Sequence, residues 1–127
     1  MRISPVVLFS ALAVSAVLGA QEQERKISKK ELPAPVLAAF QKAYPKAAIK
    51  GLNEEKKDGK TYFEIESKDG KVERDLLYLA DGSVAEIEES MEAADLPQAV
   101  KAAVEANYPK AKLGKAEKVT QGMNVHY

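Results

Sequence analysis

The sequence predicts an α+β protein in which a helix packs on one face of a four-stranded antiparallel meander, repeated in tandem with the second copy incomplete. Three observations support this prediction. Apolar residues follow helical spacing in two segments that lie 64 positions apart. Those two segments are related by an ungapped sequence repeat. Between the two segments, Asp-Gly pairs, which are typical of β-hairpin turns, divide the chain into short strands.

The repeat is visible as nine identities over 33 aligned positions, where chance would give roughly two or three. The first copy carries Leu32-Pro33, Val36, Ala38-Ala39 and Tyr44-Pro45-Lys46-Ala47. The same residues recur as Leu96-Pro97, Val100, Ala102-Ala103 and Tyr108-Pro109-Lys110-Ala111. We predict a first copy over 31–90, a linker over 91–94 and a partial second copy over 95–127, which lacks a counterpart of residues 64–90.

Each copy is predicted to begin with an amphipathic helix. The apolar stripe runs from Leu32 to Tyr44 in the first copy and from Leu96 to Tyr108 in the second. A proline stands in the first turn of each helix and another directly follows the last turn, where proline ends a helix. Each helix should therefore bury one apolar stripe.

Three Asp-Gly pairs predict the turns of the sheet. Two-residue hairpin turns are expected at Asp58-Gly59, Asp69-Gly70 and Asp81-Gly82. Calcium loops are the alternative, but none of these turns carries acidic ligands at alternate positions followed by a terminal Glu. Plain hairpin turns are therefore favoured.

The turns also predict which residues face each other across the sheet. Representative predicted pairs are Leu52 with Ile65, Glu55 with Tyr62, Glu66 with Glu73, Leu77 with Glu86, Leu76 with Ile87, and Tyr78 with Ala85. All three turns agree on a single apolar face, which the helix should cover. Its residues are Leu52, Phe63, Ile65, Val72, Leu76, Tyr78, Ala85 and Ile87.

The opposite side of the predicted sheet, called here the acidic face, gathers carboxylates. Its candidate partner-binding residues are Tyr62, Glu64, Glu66, Glu73, Asp75, Leu77, Glu86 and Glu88, beside Glu55, Leu79 and Val84. Like charges opposite each other in a sheet destabilise it by up to about 1 kcal/mol per pair. The face is either a solvated surface that protects the sheet from aggregation, a recognition surface for a basic protein partner, or a cation-binding surface.

Residues 1–20 are predicted to be a secretory signal peptide. Arg2 precedes a 13-residue apolar run, which ends at the small residues Gly19-Ala20. We therefore expect a periplasmic or secreted protein, without stable membrane insertion after cleavage. Residues 21–30 are polar and are predicted to be a flexible leader. The chain has no cysteine, so disulfides and thiolate metal sites are excluded.

Charge and motifs argue against several functions. The 19 basic and 19 acidic residues leave no net charge, so no overall field favours nucleic acid. The single histidine, His126, has no Ser or Cys partner in a catalytic motif and fits a strand side chain better. No Gly-rich phosphate loop, zinc spacing or haem motif is present. The sequence predicts a protein without enzyme activity, cofactor or metal site.

The unit Leu-Pro-x-x-Val-x-x-Ala, followed by Tyr-Pro-x-Ala and by strands joined through Asp-Gly, resembles the PepSY-like family. This family comprises small exported bacterial domains related in fold to the β-lactamase inhibitor protein. The resemblance extends over residues 31–127. It implies a helix on one side of an antiparallel sheet, commonly in tandem, without known catalysis. Similar proteins bind other proteins, and the lactamase inhibitor does so through its concave sheet surface, which would correspond to the acidic face.

The resulting hypothesis is an exported, non-catalytic protein-binding or inhibitor-like module that engages a basic partner through the acidic face. An exported hydrolase is one candidate for that partner. The alternative is a periplasmic cation-binding or envelope structural protein that uses the same face. The incomplete second sheet also predicts self-association, since a lone two-stranded hairpin is marginally stable in water.

Overall fold

Two short helices and seven strands follow one another in the computed structural model, which describes residues 22–127. The predicted signal peptide, residues 1–20, lies outside the described residues. The elements are β1 (Gln23–Lys26), α1 (Ala34–Ala43), β2 (Ala48–Lys57), β3 (Lys60–Asp69), β4 (Val72–Tyr78), β5 (Val84–Met91), a 3-10 turn (Ala93–Asp95), α2 (Gln98–Asn107), β6 (Ala116–Gln121) and β7 (Asn124–His126). The α+β class is confirmed.

All seven strands form one antiparallel sheet in sequence order, from β1 to β7. The sheet is therefore larger than predicted: one sheet spans both copies, where a four-stranded sheet was expected in the first. The predicted flexible leader is also corrected, because residues 23–26 form β1 and pair with β2. This strand is too polar to be recognised from an apolar pattern.

The two helices have matching ends. Each has a proline at its N-cap, Pro33 for α1 and Pro97 for α2. At the other end of α1, the Tyr44 N–H donates to the Phe40 carbonyl at 2.8 Å. The Tyr108 N–H repeats this bond in α2, at 2.7 Å from its carbonyl acceptor. The proline that follows each tyrosine stops the helix, because the residue before a proline disfavours the helical conformation.

The first hairpin has the predicted turn. Asp58 and Gly59 both have positive φ, 51° and 74°, which matches the two-residue turn that Asp-Gly favours. The predicted pairs Leu52–Ile65 and Glu55–Tyr62 are confirmed. The pairing of β2 with β3 has one irregularity, which lies between Ile49 and Gly51, away from the turn.

The second hairpin differs from the prediction by two residues. Asp69 pairs with Val72, so the two-residue turn is Gly70-Lys71 and not Asp69-Gly70. Gly70 has φ 60° and takes the first central position, which type II′ turns reserve for glycine. A shift of two residues changes every partner across the hairpin yet keeps each side chain on its predicted face.

The third hairpin has the predicted pairing except next to its turn. The pairs Leu77–Glu86 and Leu76–Ile87 are confirmed. The predicted Tyr78–Ala85 pair is wrong, because an irregularity places Tyr78 opposite Val84. Its cause is a longer turn, in which the Leu79 N–H donates to the Ser83 carbonyl at 2.9 Å and Gly82 adopts φ 88°.

The sequence repeat is also a repeat of strand pairing. Gln23 pairs with Lys56 between β1 and β2, and the residues 64 positions later, Ile87 and Thr120, pair between β5 and β6. The Glu55–Tyr62 pair of β2 and β3 recurs likewise in β6 and β7. Strand β5 is thus both the partner of β4 and the counterpart of β1. The two copies share β5, which the predicted copy boundaries did not anticipate.

The core lies between α1 and the predicted apolar face. Its buried residues are Leu32, Val36, Phe40, Phe63, Ile65, Leu76 and Tyr78, with Leu52 and Ile87 partly buried beside them. Arg74 also lies on this side, with its guanidinium carbon 4.7 Å from the centre of the Tyr44 ring and its Nε donating to Glu89 at 2.5 Å. Within 98–107, by contrast, α2 has no buried residue.

Candidate functional site

The acidic face lies on the side of the sheet opposite α1, and strand pairing arranges it in rows. One row runs across β2 to β5 as Asn53, Glu64, Leu77 and Glu86. The next runs across β3 to β7 as Glu66, Asp75, Glu88, Val119 and His126. A third joins Glu24, Glu55 and Tyr62. The structure therefore brings carboxylates from neighbouring strands onto one continuous surface.

This face contains a partly open depression of about 640 Å³. It is lined by Glu24, Glu55, Lys57, Asp58, Tyr62, Glu64, Asp75, Leu77, Ala85, Glu86, Glu88 and Gln121. Six of the eight predicted site residues are among them. The other two, Glu66 and Glu73, lie outside the depression, and Glu73 lines a smaller one of about 80 Å³ with Glu117. Glu24 extends the site onto β1, which the sequence did not predict as a strand.

Asn53, like Glu24, is a member of this surface that sequence reasoning missed. Its side chain is only 4% exposed, and its amide nitrogen donates to Glu64 Oε1 at 3.1 Å and to Glu66 Oε1 at 3.2 Å. One amide thus holds two carboxylates in place. The signal was available, because counting outward from the Asp58-Gly59 turn places Asn53 directly opposite Glu64.

Gly51 makes room for the second of these carboxylates. A Cβ built at Gly51 would collide with the carboxylate of Glu66. Glycine inside a strand often marks such a close approach, and the pairing irregularity between Ile49 and Gly51 lies at the same place. Any larger residue at this position would displace Glu66 and weaken its hydrogen bond with Asn53.

Burial and crowding raise the pKa of several carboxyl groups on this face. Partial burial raises the pKa of Glu64 to about 7, with Asp75 and Glu66 adding to the rise and the hydrogen bond from Asn53 opposing it. Burial, followed by the hydrogen bond with Glu86 and the charges of Glu86 and Glu117, raises the pKa of Glu88 to about 7. The face is therefore partly protonated near neutral pH and becomes more negative as pH rises.

Burial also raises the pKa values of Asp75 and Glu55 above their ordinary range. Nearby carboxylates reinforce both shifts, Glu66 in the case of Asp75 and Glu24 in the case of Glu55. Each shift means that the surroundings disfavour the charged form of the group. A cationic group placed against this face would relieve the repulsion between its carboxylates.

Neither catalysis nor metal binding gains support from the arrangement. His126 lies on β7 opposite Val119, as the repeat predicted for a strand side chain. Among residues 22–127, no group of three or more His, Cys, Asp or Glu side chains is arranged to hold a metal ion. None of the helices described within 22–127 is long and apolar enough to cross a membrane.

The fold and the site define a class of small α+β modules, in which a helix closes one face of an antiparallel sheet and the other face stays open. The sequence model of one family, described as "Putative beta-lactamase-inhibitor-like, PepSY-like", matches residues 20–86 and again residues 69–126. The chain belongs to this PepSY-like family, which confirms the resemblance found in the sequence. The two matches overlap, which agrees with a tandem arrangement. No curated protein and no solved structure matches the chain.

Proposed function

We propose that this protein is an exported, non-catalytic module that binds another protein through the acidic face, in the manner of an inhibitor. The observation that carries the proposal is the depression on that face. It combines carboxylates with the half-buried side chains of Tyr62 and Leu77. Partly apolar anchors surrounded by charged groups are the composition of a protein interface, with its desolvated centre and polar rim.

The partner that we propose is a protein with a basic surface. Lysine or arginine side chains placed in the depression would pair with Glu64, Glu86 and Glu88, and each of Glu64 and Glu88 is otherwise repelled by neighbouring carboxylates. Such complementarity speeds association and selects the partner more than it raises affinity. The family description points the search for this partner toward hydrolases.

The proposal of a non-catalytic role is supported by the shape of the site. Glu64 and Asp75 have raised pKa values and lie on adjacent strands, as a general acid and base would require. However, the depression is partly open to solvent, whereas catalysis requires a site that excludes water and orients a substrate. The same openness suits a partner that is itself a folded protein.

Charge reversal on the acidic face provides the test. The double variant Glu55→Lys/Glu86→Lys changes the depression, whereas Glu92→Lys/Glu105→Lys makes the same change in net charge at exposed positions outside it. Immobilised protein 22–127 of each kind would be exposed to an envelope fraction and to purified exported hydrolases. We expect wild type and the outer variant to retain the same partner, and the depression variant to lose it.

Salt dependence and folding controls complete this test. Binding through the acidic face should weaken as ionic strength rises, because salt screens the pairs at its rim. Circular dichroism melts would show that each variant is folded. A partner retained equally by both variants would contradict the proposed site, and hydrolysis of a substrate by the purified protein would contradict the non-catalytic role.

Export is proposed on the strength of residues 1–20 alone. The order of charge, apolar run and small residues is typical of a signal peptide. Mass spectrometry of the intact protein from an envelope fraction should give the mass of a chain beginning near Gln21. A product found in the cytoplasm with residues 1–20 still attached would refute this.

A further inference from the structure

One row of five side chains crosses the acidic face at its depression, from β2 to β6. Its members are Asn53, Glu64, Leu77, Glu86 and Gln121, and it is called here the central row. Strand pairing joins the first four, and a hydrogen bond from Gln121 to Glu86 joins the fifth. All of them except Asn53 line the depression. The central row is nearly symmetric about Leu77, because a carboxylate and then an amide follow on each side.

Each carboxylate of the central row is held by the amide next to it. The Asn53 amide nitrogen donates to Glu64 Oε1 at 3.1 Å, and the Gln121 amide nitrogen donates to Glu86 Oε2. A carboxylate has about four acceptor sites, so each of these two keeps acceptor capacity beyond the bond with its amide. The two amides therefore fix the carboxylates on either side of Leu77 and leave them able to accept further hydrogen bonds.

The basic side chains of the described chain pair elsewhere. Arg25 and Arg74, the two arginines within 22–127, form their salt bridges with carboxylates outside the central row. Lys57 lines the depression, but its ammonium pairs with Glu22 at 3.6 Å. No salt bridge within the described residues includes a carboxylate of the central row. A cation supplied by another molecule would therefore be electrostatically complementary to this row.

The depression also offers apolar surface beside these carboxylates. Leu77 lies between Glu64 and Glu86, and Tyr62 lies two positions before Glu64 on the same face of β3. The side chains of Leu77 and Tyr62 are half-buried and line the depression. Aliphatic stems of basic side chains pack on apolar surface, and a cation is attracted to the face of a tyrosine ring. The site therefore suits a long side chain with an aliphatic stem and a cationic end.

We propose that the depression binds one arginine side chain of the partner protein, with its aliphatic stem on Leu77 and its guanidinium between Glu64 and Glu86. Neighbouring strands lie about 4.8 Å apart, so the backbones of these two glutamates, on β3 and β5, are about 10 Å apart. A guanidinium has five N–H donors on a planar fork, so its opposite edges can pair with two carboxylates and its plane can stack on Tyr62. An ammonium is a compact point charge and fits this arrangement less well.

Titration with three short peptides tests this arginine site, which rests on the proposed function because it specifies how the acidic face contacts its partner. The probes are acetyl-glycyl-arginyl-glycine amide and its analogues with lysine or citrulline in place of arginine. Each is added to isotopically labelled protein 22–127 at pH 8, where Glu64 and Glu88, with pKa values of about 7, are mostly ionised. Nuclear magnetic resonance then follows the backbone amide signals of Leu77 and its paired neighbours.

We expect the arginine peptide to shift these signals with a dissociation constant of about 1 to 10 mM, since a single side chain contributes few atoms to binding. The lysine peptide should bind at least about threefold more weakly, and the uncharged citrulline peptide at least about tenfold more weakly. Glu64→Gln/Glu86→Gln keeps the size of both side chains and should weaken arginine binding at least about tenfold. Glu73→Gln/Glu117→Gln is the matched control, because it makes the same change in net charge on the acidic face outside the depression. This control should change binding by less than about twofold.

The same spectra show whether each variant is folded. Signals near Leu77 that stay unchanged throughout the millimolar range would overturn the arginine site, and so would equal binding of the arginine and lysine peptides. A partner protein that binds wild type and Glu64→Gln/Glu86→Gln equally would also overturn the arginine site, yet it would leave the proposed function intact. Conversely, a partner that is unaffected by charge reversal at Glu55 and Glu86 would contradict the proposed function, while the peptide titration would still decide the arginine site.

Discussion

The two copies of the repeat have the same strand register and very different burial. Val36 of α1 is completely buried, whereas Val100, the same residue 64 positions later, is only partly buried. Tyr44 packs against Phe40 and Arg74, whereas Tyr108 is 68% exposed. A helix with the right apolar stripe is therefore not sufficient to make a core. In the first copy, β3 and β4 supply the residues that bury the stripe.

The largest expected difference between the copies is at Phe40. This side chain is buried between α1 and the sheet, so Phe40→Ala should lower the free energy of unfolding by about 3 to 5 kcal/mol through lost burial and a cavity. Its counterpart Val104 is only partly buried, and Val104→Ala should cost less than about 1 kcal/mol. Urea unfolding followed by circular dichroism measures both. Equal losses would show that the second copy has a closed core in solution.

A pair with identical chemistry sharpens the comparison. Val36→Ala and Val100→Ala remove the same two methyl groups, one pair buried and the other partly exposed. We expect a loss of about 2 kcal/mol for Val36→Ala and of at most about 0.5 kcal/mol for Val100→Ala. The same unfolding measurement applies. A larger loss for Val100→Ala would contradict the contrast between the copies.

A third difference concerns the acidic face, where Asn53 of the first copy corresponds to Glu117 of the second. Asn53→Asp should cost about 2 kcal/mol at neutral pH, because it removes two hydrogen bonds and adds a carboxylate beside Glu64 and Glu66. Glu117→Gln should change stability by less than about 0.5 kcal/mol, since Glu117 is exposed. Thermal melts of both variants test this. A neutral Asn53→Asp would mean that the amide does not position the two carboxylates.

The smallest expected effect is a dependence of stability on pH. The pKa of Glu64 is about 7 in the folded protein against an ordinary value of 4.5, so the folded state binds more protons than the unfolded state between these values. The free energy of unfolding should therefore fall as pH rises from 4.5 to 7, by roughly 1 kcal/mol for this partly exposed group.

Glu64→Gln supplies the comparison for this pH effect. This variant should be at least as stable as wild type near pH 8, and its free energy of unfolding should fall less between pH 4.5 and 7. Glu105→Gln, at an exposed position of α2, should leave the pH dependence unchanged. Hydrogen bonds with Ser28 and Arg25 lower the pKa of Glu31 to about 2. This group should make the free energy of unfolding rise with pH, but only below pH 4.5. Stability that rises between pH 4.5 and 7 would contradict the burial of Glu64.

Much of the first copy could be predicted because its signals are local. The Tyr-Pro helix stop, the alternation of apolar residues and the Asp58-Gly59 turn each depend on a few neighbouring residues. The register predicted at the second turn was wrong by two residues, but the predicted face of each side chain was still correct, because side-chain orientation in a strand has a period of two. Most of the acidic face was therefore identified correctly, as the lining of the depression shows.

The remaining features depend on contacts between distant parts of the chain. β1 is polar throughout, and only its pairing with β2 and the ion pair between Arg25 and Glu54 make it a strand. The joining of both copies into one sheet depends on the pairing of β5 with β6. The turn that follows Tyr78 depends on glycine conformation and not on the Asp-Gly pattern alone. Composition and periodicity carry no information on such long-range pairing.

The shared strand β5 also has a consequence for how the protein folds. In an array of separate domains each unit can melt alone, whereas here the first hydrogen-bonded neighbour of β6 is a strand that also closes the sheet of the first copy. The first copy, which has the buried core, should therefore fold first, and the strands of the second copy should then add to its sheet. Solenoid proteins fold in a comparable way, because each repeat is stabilised by its contacts with the neighbouring repeat. A further repeat inserted after β5 would lengthen the sheet without needing a linker, because β5 already pairs with a strand of each copy.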